Sequence, residues 1–303
     1  MMMNPMLKAI LKALSGVRTD VNYRMERVLN RIMHPSLKLG YEIWDREILL
    51  DGFSLPIRVF TPKRKRSEEI ILFFHGGGWV SGDIESYTRV CTGLAEALGR
   101  RVMSVDYRRA PEYPFPHAPE DCYRAARELA LHCKSGESAD DRIILMGDSA
   151  GGNLAAAVSL MAADRGEFRI GRQILLYPST YNDHGDNSPF RSITENGRDY
   201  LLTSKKIQDY QELYLRNESD RCSPYFAPLL SDHLEGQPKT LLITAEYDPL
   251  RDEGEAYGQK LRRYGNEVSL YRMDGALHGF FTFLPRSAQV QKCYRLIEQF
   301  LGE

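Results

Sequence analysis

Residues 143–158, IILMGDSAGGNLAAAV, decide the fold of this 303-residue chain. The four apolar residues at the start predict a buried strand, and the alanine-rich end predicts a helix that follows at once. Between them, Gly147-Asp148-Ser149-Ala150-Gly151 fits the G-x-S-x-G pattern of a sharp strand-to-helix turn that exposes a serine. Ser149 is therefore the candidate nucleophile. Gly147 and Gly151 are expected because larger side chains there would collide with the neighbouring strand and helix.

A second glycine-rich segment, His75-Gly76-Gly77-Gly78, follows the apolar run Ile70–Phe74. Three consecutive glycines are costly to order unless the backbone must approach something closely. Backbone N–H groups at the end of a strand can bind the oxyanion of a tetrahedral intermediate, together with the N–H of Ala150 after the nucleophile. The alternatives are a flexible loop or a phosphate cradle. No Lys-Ser/Thr pair follows the glycines and no G-x-G-x-x-G pattern fits, so the sequence favours the oxyanion hole.

A serine nucleophile needs a base, and the base needs an acid to orient it. In this strand–turn–helix context the chain order is serine, acid, histidine. Three histidines follow the serine, and His184 and His233 both precede the penultimate predicted strand. His278 follows the last predicted strand, in a loop expected at the carboxyl edge of the sheet. We therefore predict His278 as the base.

The acid is expected just after the strand that precedes this histidine. Glu246, Asp248 and Asp252 all qualify by position. Asp248 lies in the tight Tyr247-Asp248-Pro249 turn, whereas Asp252 falls in the first turn of the next helix, where acidic residues are common as partners of the helix dipole. Asp248 is the predicted acid, and Asp252 is the alternative.

Apolar runs and helical stretches alternate along most of the chain. Residues 41–50 and 55–60 flank Asp51-Gly52, which predicts an antiparallel hairpin. Six later runs predict strands at Ile70–Phe74, Val102–Asp106, Ile143–Met146, Gln173–Tyr177, Thr240–Thr244 and Val268–Arg272. Helices are predicted at residues 86–99, 118–133, 149–164, 253–264 and 287–301. This alternation indicates an α/β fold, with a mostly parallel eight-stranded sheet covered by helices on both faces.

One connection is too long for a simple crossover. Roughly sixty residues separate Tyr177 from Thr240, and they include a helix starting near Ser204. The first forty residues also read as helical, with apolar residues at helical spacing: Leu7, Ile10, Leu11, Leu14, Val21, Met25, Val28, Leu29 and Ile32. We predict a catalytic domain of residues 41–177 and 231–303 beneath a helical cap of residues 1–40 and 178–230. The aromatic residues of the cap either line an apolar pocket or form its packing core: Tyr181, Phe190, Tyr200, Tyr210, Tyr214, Tyr225 and Phe226.

The composition argues against several classes of partner. Forty Lys and Arg against 41 Asp and Glu give a net charge of −1, so no nucleic-acid partner is expected. Five scattered cysteines without a Cys-x-x-Cys pair predict neither a disulfide framework nor a zinc site, and favour a reducing compartment. No stretch approaches the ~18 apolar residues of a membrane-spanning helix. Lys8 and Lys12 interrupt the apolar N-terminus, which does not read as a secretory signal. We expect a cytoplasmic protein that is not inserted in a membrane.

Five blocks of the sequence, in order and with matching spacing, resemble the hormone-sensitive-lipase-like esterases of the α/β-hydrolase superfamily. The blocks are HGGGW at 75–79, DYRRAPE at 106–112 with PFP at 114–116 and ED at 120–121, GDSAGGN at 147–153, DPLRDE at 248–253 and HGF at 278–280. The resemblance runs from Tyr41 to the end of the chain. It implies Ser149, Asp248 and His278 as a catalytic triad and the amides of Gly77, Gly78 and Ala150 as the oxyanion hole. The supporting motif residues are His75, Gly76, Gly147, Asp148 and Gly151.

The resemblance implies a hydrolase of short-acyl carboxylic esters that uses no metal or organic cofactor. It also implies a small-molecule ester as substrate, and a homodimer through the last strand and helix is known in some relatives. The same triad would serve an amide, peptide or deacetylase-type hydrolase. A catalytically silent homologue that binds a small ligand is a further alternative, but such homologues have lost the histidine that this chain retains. A protein-interaction scaffold would leave the five blocks unexplained.

Overall fold

The computed structural model describes residues 23–33, 42–50, 52–132, 142–283 and 286–302. Within them, eight strands form one sheet. In chain order the strands are β1 (Glu42–Leu50), β2 (Phe53–Thr61), β3 (Ile70–Phe74), β4 (Arg101–Val105), β5 (Ile143–Asp148), β6 (Arg172–Leu176), β7 (Lys239–Tyr247) and β8 (Val268–Leu277). Their order across the sheet is β1-β2-β4-β3-β5-β6-β7-β8. The predicted α/β fold with an eight-stranded, mostly parallel sheet is confirmed.

The direction of the strands gathers four loops at one edge of the sheet. β1 and β2 form the predicted hairpin, β2 runs antiparallel to β4, and all other neighbouring strands are parallel. Phe74 at the end of β3 lies opposite Gly147 near the end of β5. Tyr247 at the end of β7 lies opposite Leu277 at the end of β8. The segments that follow these strands therefore start side by side.

Helices cover both faces of the sheet because the parallel strands are apolar on both sides. The helices in chain order are α1 (Tyr23–Met33), α2 (Thr88–Leu98), α3 (His117–Leu131), α4 (Ala150–Arg165), α5 (Arg191–Asn196), α6 (Ser204–Tyr214), α7 (Arg251–Arg263), α8 (Phe280–Phe283) and α9 (Ala288–Gly302). Alternate residues of β3 point to opposite faces: Leu72 and Phe74 join one buried apolar cluster, and Ile71 and Phe73 join the other. Each cluster is one half of the core.

The last strand is longer than the sequence predicts. Pairing between β7 and β8 continues past an irregularity at Ala245–Tyr247, so β8 ends at Leu277 and not at Arg272. His278 therefore follows the strand directly, whereas the sequence predicted that it lies within a loop. Within the part of the chain that the structure describes, no helix has both the length and the apolar character needed to cross a membrane.

The long connection after β6 contributes α5, α6 and two short 3₁₀ turns, Glu218–Cys222 and Pro228–Leu230. Helix α1 packs beside α6: Lys206 forms an ion pair of 2.7 Å with Glu26. The two segments predicted to form a cap therefore meet in space. The predicted helical residues Leu7, Ile10, Leu11, Leu14 and Val21 lie outside the described residues.

Candidate active site

Ser149 occupies a strained turn between β5 and α4. Its backbone angles are φ 55° and ψ −119°, a conformation that a non-glycine residue adopts only where surrounding contacts impose it. A Cβ at Gly147 would lie 2.2 Å from the Gly151 carbonyl oxygen, and one at Gly151 would lie 1.9 Å from the Phe74 carbonyl oxygen. Glycine is required at both positions because strand, turn and helix are in direct backbone contact.

The His278 ring lies between Ser149 and Asp248. Its Nε2 is 2.9 Å from the Ser149 hydroxyl oxygen, and its Nδ1 is 2.7 Å from an Asp248 carboxylate oxygen. Asp248 is fully buried, and its other oxygen accepts the backbone N–H of Leu250. A neutral imidazole in this position donates its Nδ1–H to the carboxylate, which leaves Nε2 free to accept the serine proton. The structure thus brings together the three residues predicted as nucleophile, acid and base.

The two other acidic candidates have different partners. The Asp252 carboxylate accepts the backbone N–H of Ser192 at 2.8 Å and the Arg251 Nε–H at 2.8 Å. The Glu246 carboxylate accepts the backbone N–H of Gly275 at 2.6 Å. Asp248 is the one of the three whose hydrogen bond reaches His278.

The glycine loop after β3 lies against the serine turn. Gly77 and Gly78 have φ of 115° and 60°, in the left-handed region that favours glycine. Side chains would not fit here, because a Cβ at Gly77 would lie 2.3 Å from the Ser81 carbonyl oxygen. Gly77, Gly78 and Ala150 line the same cavity as Ser149. Ala150 is the first residue of α4, and the first N–H groups of a helix have no partner within the helix.

Asp148 links the serine turn to the glycine loop. Its carboxylate accepts the backbone N–H of Gly76 at 3.0 Å and the hydroxyl of Tyr87 at 3.0 Å. The Tyr177 hydroxyl is 3.4 Å away, and the Tyr177 ring meets His278 edge-on at 5.0 Å. Burial raises the pKa of Asp148 to about 6, against the opposing effect of these hydrogen bonds. The residue before the nucleophile therefore positions the first glycine of the loop.

The buried His75 side chain also supports the glycine loop. Its ring stacks on Tyr107 with centroids 4.2 Å apart, and the Tyr107 hydroxyl donates to the His75 carbonyl oxygen at 2.7 Å. Burial lowers the pKa of His75 to about 4, so the ring is neutral at pH 7 and its Nδ1–H can donate to the Gly76 carbonyl oxygen, 2.9 Å away. These contacts make His75 a structural part of the loop.

A cavity of about 540 Å³ opens above Ser149. Its wall includes Leu29 of α1 and Ile207 of α6, so both predicted cap segments contribute. Among the seven aromatic residues singled out in the described part of the cap, Tyr210 lines the cavity. Tyr214 and Phe226 instead stack with Trp79 in the core. Tyr214 and Phe226 thus serve as packing, and Tyr210 as part of the cavity wall.

Several residues at the site were not predicted. Tyr87 and Tyr177 bind Asp148, and Asn153 accepts the Trp79 indole N–H at 3.2 Å. Asn153 belongs to the GDSAGGN block and could have been singled out there. The two tyrosines carry no local pattern, because their contacts with Asp148 span 61 and 29 residues.

No group of His, Cys, Asp or Glu within the described ranges has an arrangement that could hold a metal ion. Four of the five cysteines are described, and all four are free thiols: Cys91, Cys122, Cys222 and Cys293.

A strained serine after a parallel strand, bridged by histidine to a buried carboxylate, defines the class of α/β-fold hydrolases with a serine nucleophile. The family model described as alpha/beta hydrolase fold matches residues 71–282. The chain belongs to this family. The predicted resemblance to hormone-sensitive-lipase-like esterases is confirmed by the relatives that follow.

An arylesterase of Saccharolobus solfataricus is 37% identical over 253 residues, which cover 82% of this chain and 80% of the relative. The carboxylesterase NlhH of Mycobacterium tuberculosis is 31% identical over 289 residues, which cover 92% and 89%. Among solved structures, a hyperthermophilic esterase of the archaeon Pyrobaculum calidifontis superposes with a TM-score of 0.86 at 34% identity, covering 99% of this chain and 98% of the other.

Proposed function

We propose that this protein is a serine carboxylesterase that hydrolyses short-acyl esters through an acyl-enzyme on Ser149. The observation that carries the proposal is the His278 ring, with Nε2 2.9 Å from the Ser149 hydroxyl oxygen and Nδ1 2.7 Å from Asp248. This is the geometry by which an imidazole takes a serine proton while a carboxylate fixes its tautomer.

In the acylation half, His278 Nε2 takes the hydroxyl proton as Ser149 Oγ attacks the ester carbonyl carbon. The carbonyl oxygen becomes an oxyanion, and the amides of Gly77, Gly78 and Ala150 are proposed to receive it. Collapse of the tetrahedral intermediate breaks the bond to the alcohol oxygen, which takes the proton from His278. Asp248 stabilises the imidazolium in between.

In the deacylation half, a water molecule takes the place of the alcohol. His278 removes a proton from this water as it attacks the acyl carbon, and the same amides receive the second oxyanion. The Ser149–acyl bond then breaks, the proton returns to Ser149, and the carboxylic acid leaves. These residues carry the whole cycle without an added cofactor.

One observation supports a small-molecule substrate, and a second supports a short-acyl ester. The cavity of about 540 Å³ lies within the ~300–1,000 Å³ range of small-molecule sites. A relative from Pseudomonas putida, 33% identical over 234 residues, is named an ethyl acetate hydrolase. We assign the cavity roof to the proposed cap of residues 1–40 and 178–230, since α1 and α6 both line it.

The free cysteines support a cytoplasmic location.

The test compares wild type with Ser149→Ala on p-nitrophenyl acetate. Wild type is expected to turn over, and Ser149→Ala to lose turnover while its circular dichroism spectrum is unchanged. Substantial residual hydrolysis by the folded variant would contradict Ser149 as nucleophile.

A series of p-nitrophenyl esters from acetyl to palmitoyl tests the substrate class. The highest kcat/KM is expected at short acyl chains. An optimum at long chains would overturn the short-ester assignment, and faster cleavage of p-nitroacetanilide than of p-nitrophenyl acetate would favour an amidase.

A further inference from the structure

The strained backbone conformation of the glycine loop extends past its three glycines to the next residue, Trp79. Trp79, which follows Gly78, also has a positive φ of 60°. Positive φ is uncommon for a bulky residue and persists only where surrounding structure imposes it. The contacts that hold residues 77–83, here called the oxyanion segment, therefore determine where the Gly77 and Gly78 amides point.

The body of the protein holds Trp79 itself. The indole stacks on Tyr214 with centroids 4.5 Å apart, and its N–H donates to Asn153. The backbone N–H of Ala110 donates to the Trp79 carbonyl oxygen at 3.0 Å. The Val80 and Ser81 amides then fold back onto the Gly77 carbonyl oxygen, at 3.1 and 2.8 Å, and close the turn.

The carbonyl group of the next residue, Val80, is held by a side chain of α1. Arg27 donates its Nε–H to the Val80 carbonyl oxygen and an Nη2–H to the Ala110 carbonyl oxygen, both at 2.8 Å. The same guanidinium forms a bidentate pair with Glu112, with both distances 2.9 Å. Val80 and Ala110 are fully buried. A planar, charged fork that binds two backbone carbonyls fixes their separation, which a point charge cannot do.

The neighbours of Arg27 on α1 reach the same segment. Glu26 accepts the Tyr210 hydroxyl at 2.7 Å, and the Tyr210 ring lies 2.5 Å from where a Cβ on Gly78 would be. Arg31 donates to the Asp83 carboxylate at 2.8 Å. Four apolar residues of the helix are 46–67% exposed: Met25, Val28, Leu29 and Ile32. Helix α1 thus docks on the oxyanion segment through its charged face.

We propose that Arg27 is a positioning residue for the oxyanion hole. By holding the Val80 carbonyl oxygen against that of Ala110, it keeps the Gly77–Ser81 turn in the conformation that aims the Gly77 and Gly78 amides above Ser149. Arg27 is not among the described residues that line the cavity, so it acts through the loop and not on substrate. The inference rests on the proposed esterase function.

The test uses Arg27→Met and Arg27→Lys in the full-length chain with p-nitrophenyl acetate. Arg27→Met is expected to lower kcat about 10-fold or more with little change in KM, because misplacing catalytic groups by ~1 Å costs ~10²-fold. Arg27→Lys keeps the charge but not the fork, so an intermediate kcat is expected. The inhibition constant of an aryl trifluoromethyl ketone, which forms an oxyanion adduct with a serine, should weaken in parallel with kcat.

Two variants separate this role from general effects. Arg24→Met removes the same charge from the same helix; Arg24 donates to the neighbouring Tyr23 and interacts electrostatically with Glu112, and no described hydrogen bond joins it to the oxyanion segment. Glu112→Gln weakens the ion pair while leaving both carbonyl contacts of Arg27. Both are expected to keep kcat within about 3-fold of wild type, because exposed ion pairs contribute little.

An unchanged kcat and an unchanged inhibition constant in folded Arg27→Met would overturn the proposal. Equal losses in Arg24→Met or Glu112→Gln would do the same. If Arg27→Met does not fold, Arg27→Lys is judged by the same two readouts. A wild type without ester turnover contradicts the proposed function, whereas an active wild type with an unaffected Arg27→Met contradicts only the role of Arg27.

Discussion

Three acidic side chains around the serine turn carry out three different tasks, and their hydrogen bonds distinguish them. Asp248 binds the His278 ring, Asp252 binds the backbone of Ser192, and Asp148 binds the backbone of Gly76. A carboxylate that orients a histidine affects the reaction directly. A carboxylate that binds backbone N–H groups affects it only through the position of a loop.

Exchanging the two aspartates after β7 for asparagine separates these tasks. Asp248→Asn is expected to lower kcat about 10⁴-fold, because an amide favours the wrong tautomer of the catalytic histidine. Asp252→Asn keeps an acceptor for the Ser192 N–H and is expected to leave kcat within about 3-fold of wild type. Steady-state kinetics on p-nitrophenyl acetate measure both. A larger loss at Asp252 would refute Asp248 as the acid.

Asp148 predicts a pH dependence of stability. Its pKa rises from the ordinary 3.8 to about 6 in the fold, so between these values the folded protein binds more protons than the unfolded chain. The stabilisation that protonated Asp148 contributes to the fold is complete below pH ~4 and is lost as the pH rises through ~6. The unfolding free energy of wild type minus that of Asp148→Asn should therefore fall over this window, by on the order of 3 kcal/mol.

Urea denaturation of both proteins at pH steps from 4 to 8 measures this difference. It should level off above about pH 7, where Asp148 is ionised in both states. A difference that is flat or rising between pH 4 and 6 would show that burial does not raise the pKa of Asp148.

At the scale of elements, the long connection after β6 fixes the loop that carries Asp248. The Ser192 hydroxyl of α5 donates to the Pro249 carbonyl oxygen at 2.7 Å, and the Asn196 side chain donates to the Asp248 carbonyl oxygen at 3.2 Å. In the same connection, the buried His184 Nε2 lies 2.6 Å from the carboxylate of Glu253, at the start of α7. The same insertion that lines the cavity thus also holds the loop of the acid.

Ser192→Ala tests this clamp. Ser192 is fully buried, and its loss leaves the Pro249 carbonyl oxygen and the Asp252 N–H without their partner, at a cost of ~1–3 kcal/mol. A several-fold lower kcat is expected as the acid loop loosens. The matched control is Thr194→Ala on the same helix, whose exposed hydroxyl donates, within the described residues, to the nearby Arg191 carbonyl oxygen. Urea denaturation and kinetics should show Thr194→Ala close to wild type; equal losses in both variants would argue against a specific clamp.

At the scale of the whole molecule, the sequence predicted those features that depend on residues close to one another in the chain. The apolar run Ile70–Phe74 is β3 residue for residue, and α6 begins at Ser204 as predicted. Ser149 and His278 follow from strand–turn–helix context and chain order. Asp248 was predicted with Asp252 as the alternative, because both lie within five residues of the end of β7, and the hydrogen bond to His278 distinguishes them.

The contacts that the sequence did not reveal join distant parts of the chain. Arg27 lies 53 residues from Val80 and 83 from Ala110, and no short pattern links them. The apolar residues at helical spacing predicted α1. They did not predict that the charged face of this helix would pack against the oxyanion segment. Such contacts depend on how a parallel sheet gathers separate loops at one edge, which is a property of the assembled fold.

Covalent labelling of Ser149 tests the central claim most directly. Diethyl p-nitrophenyl phosphate should transfer its phosphoryl group to the Ser149 oxygen, breaking the bond to p-nitrophenolate, with His278 taking the serine proton. Peptide mapping by mass spectrometry should find one diethylphosphoryl group per chain, on Ser149, with esterase activity lost in proportion and no label in Ser149→Ala. Inactivation with Ser149 unlabelled, or with the label on another residue, would contradict the account.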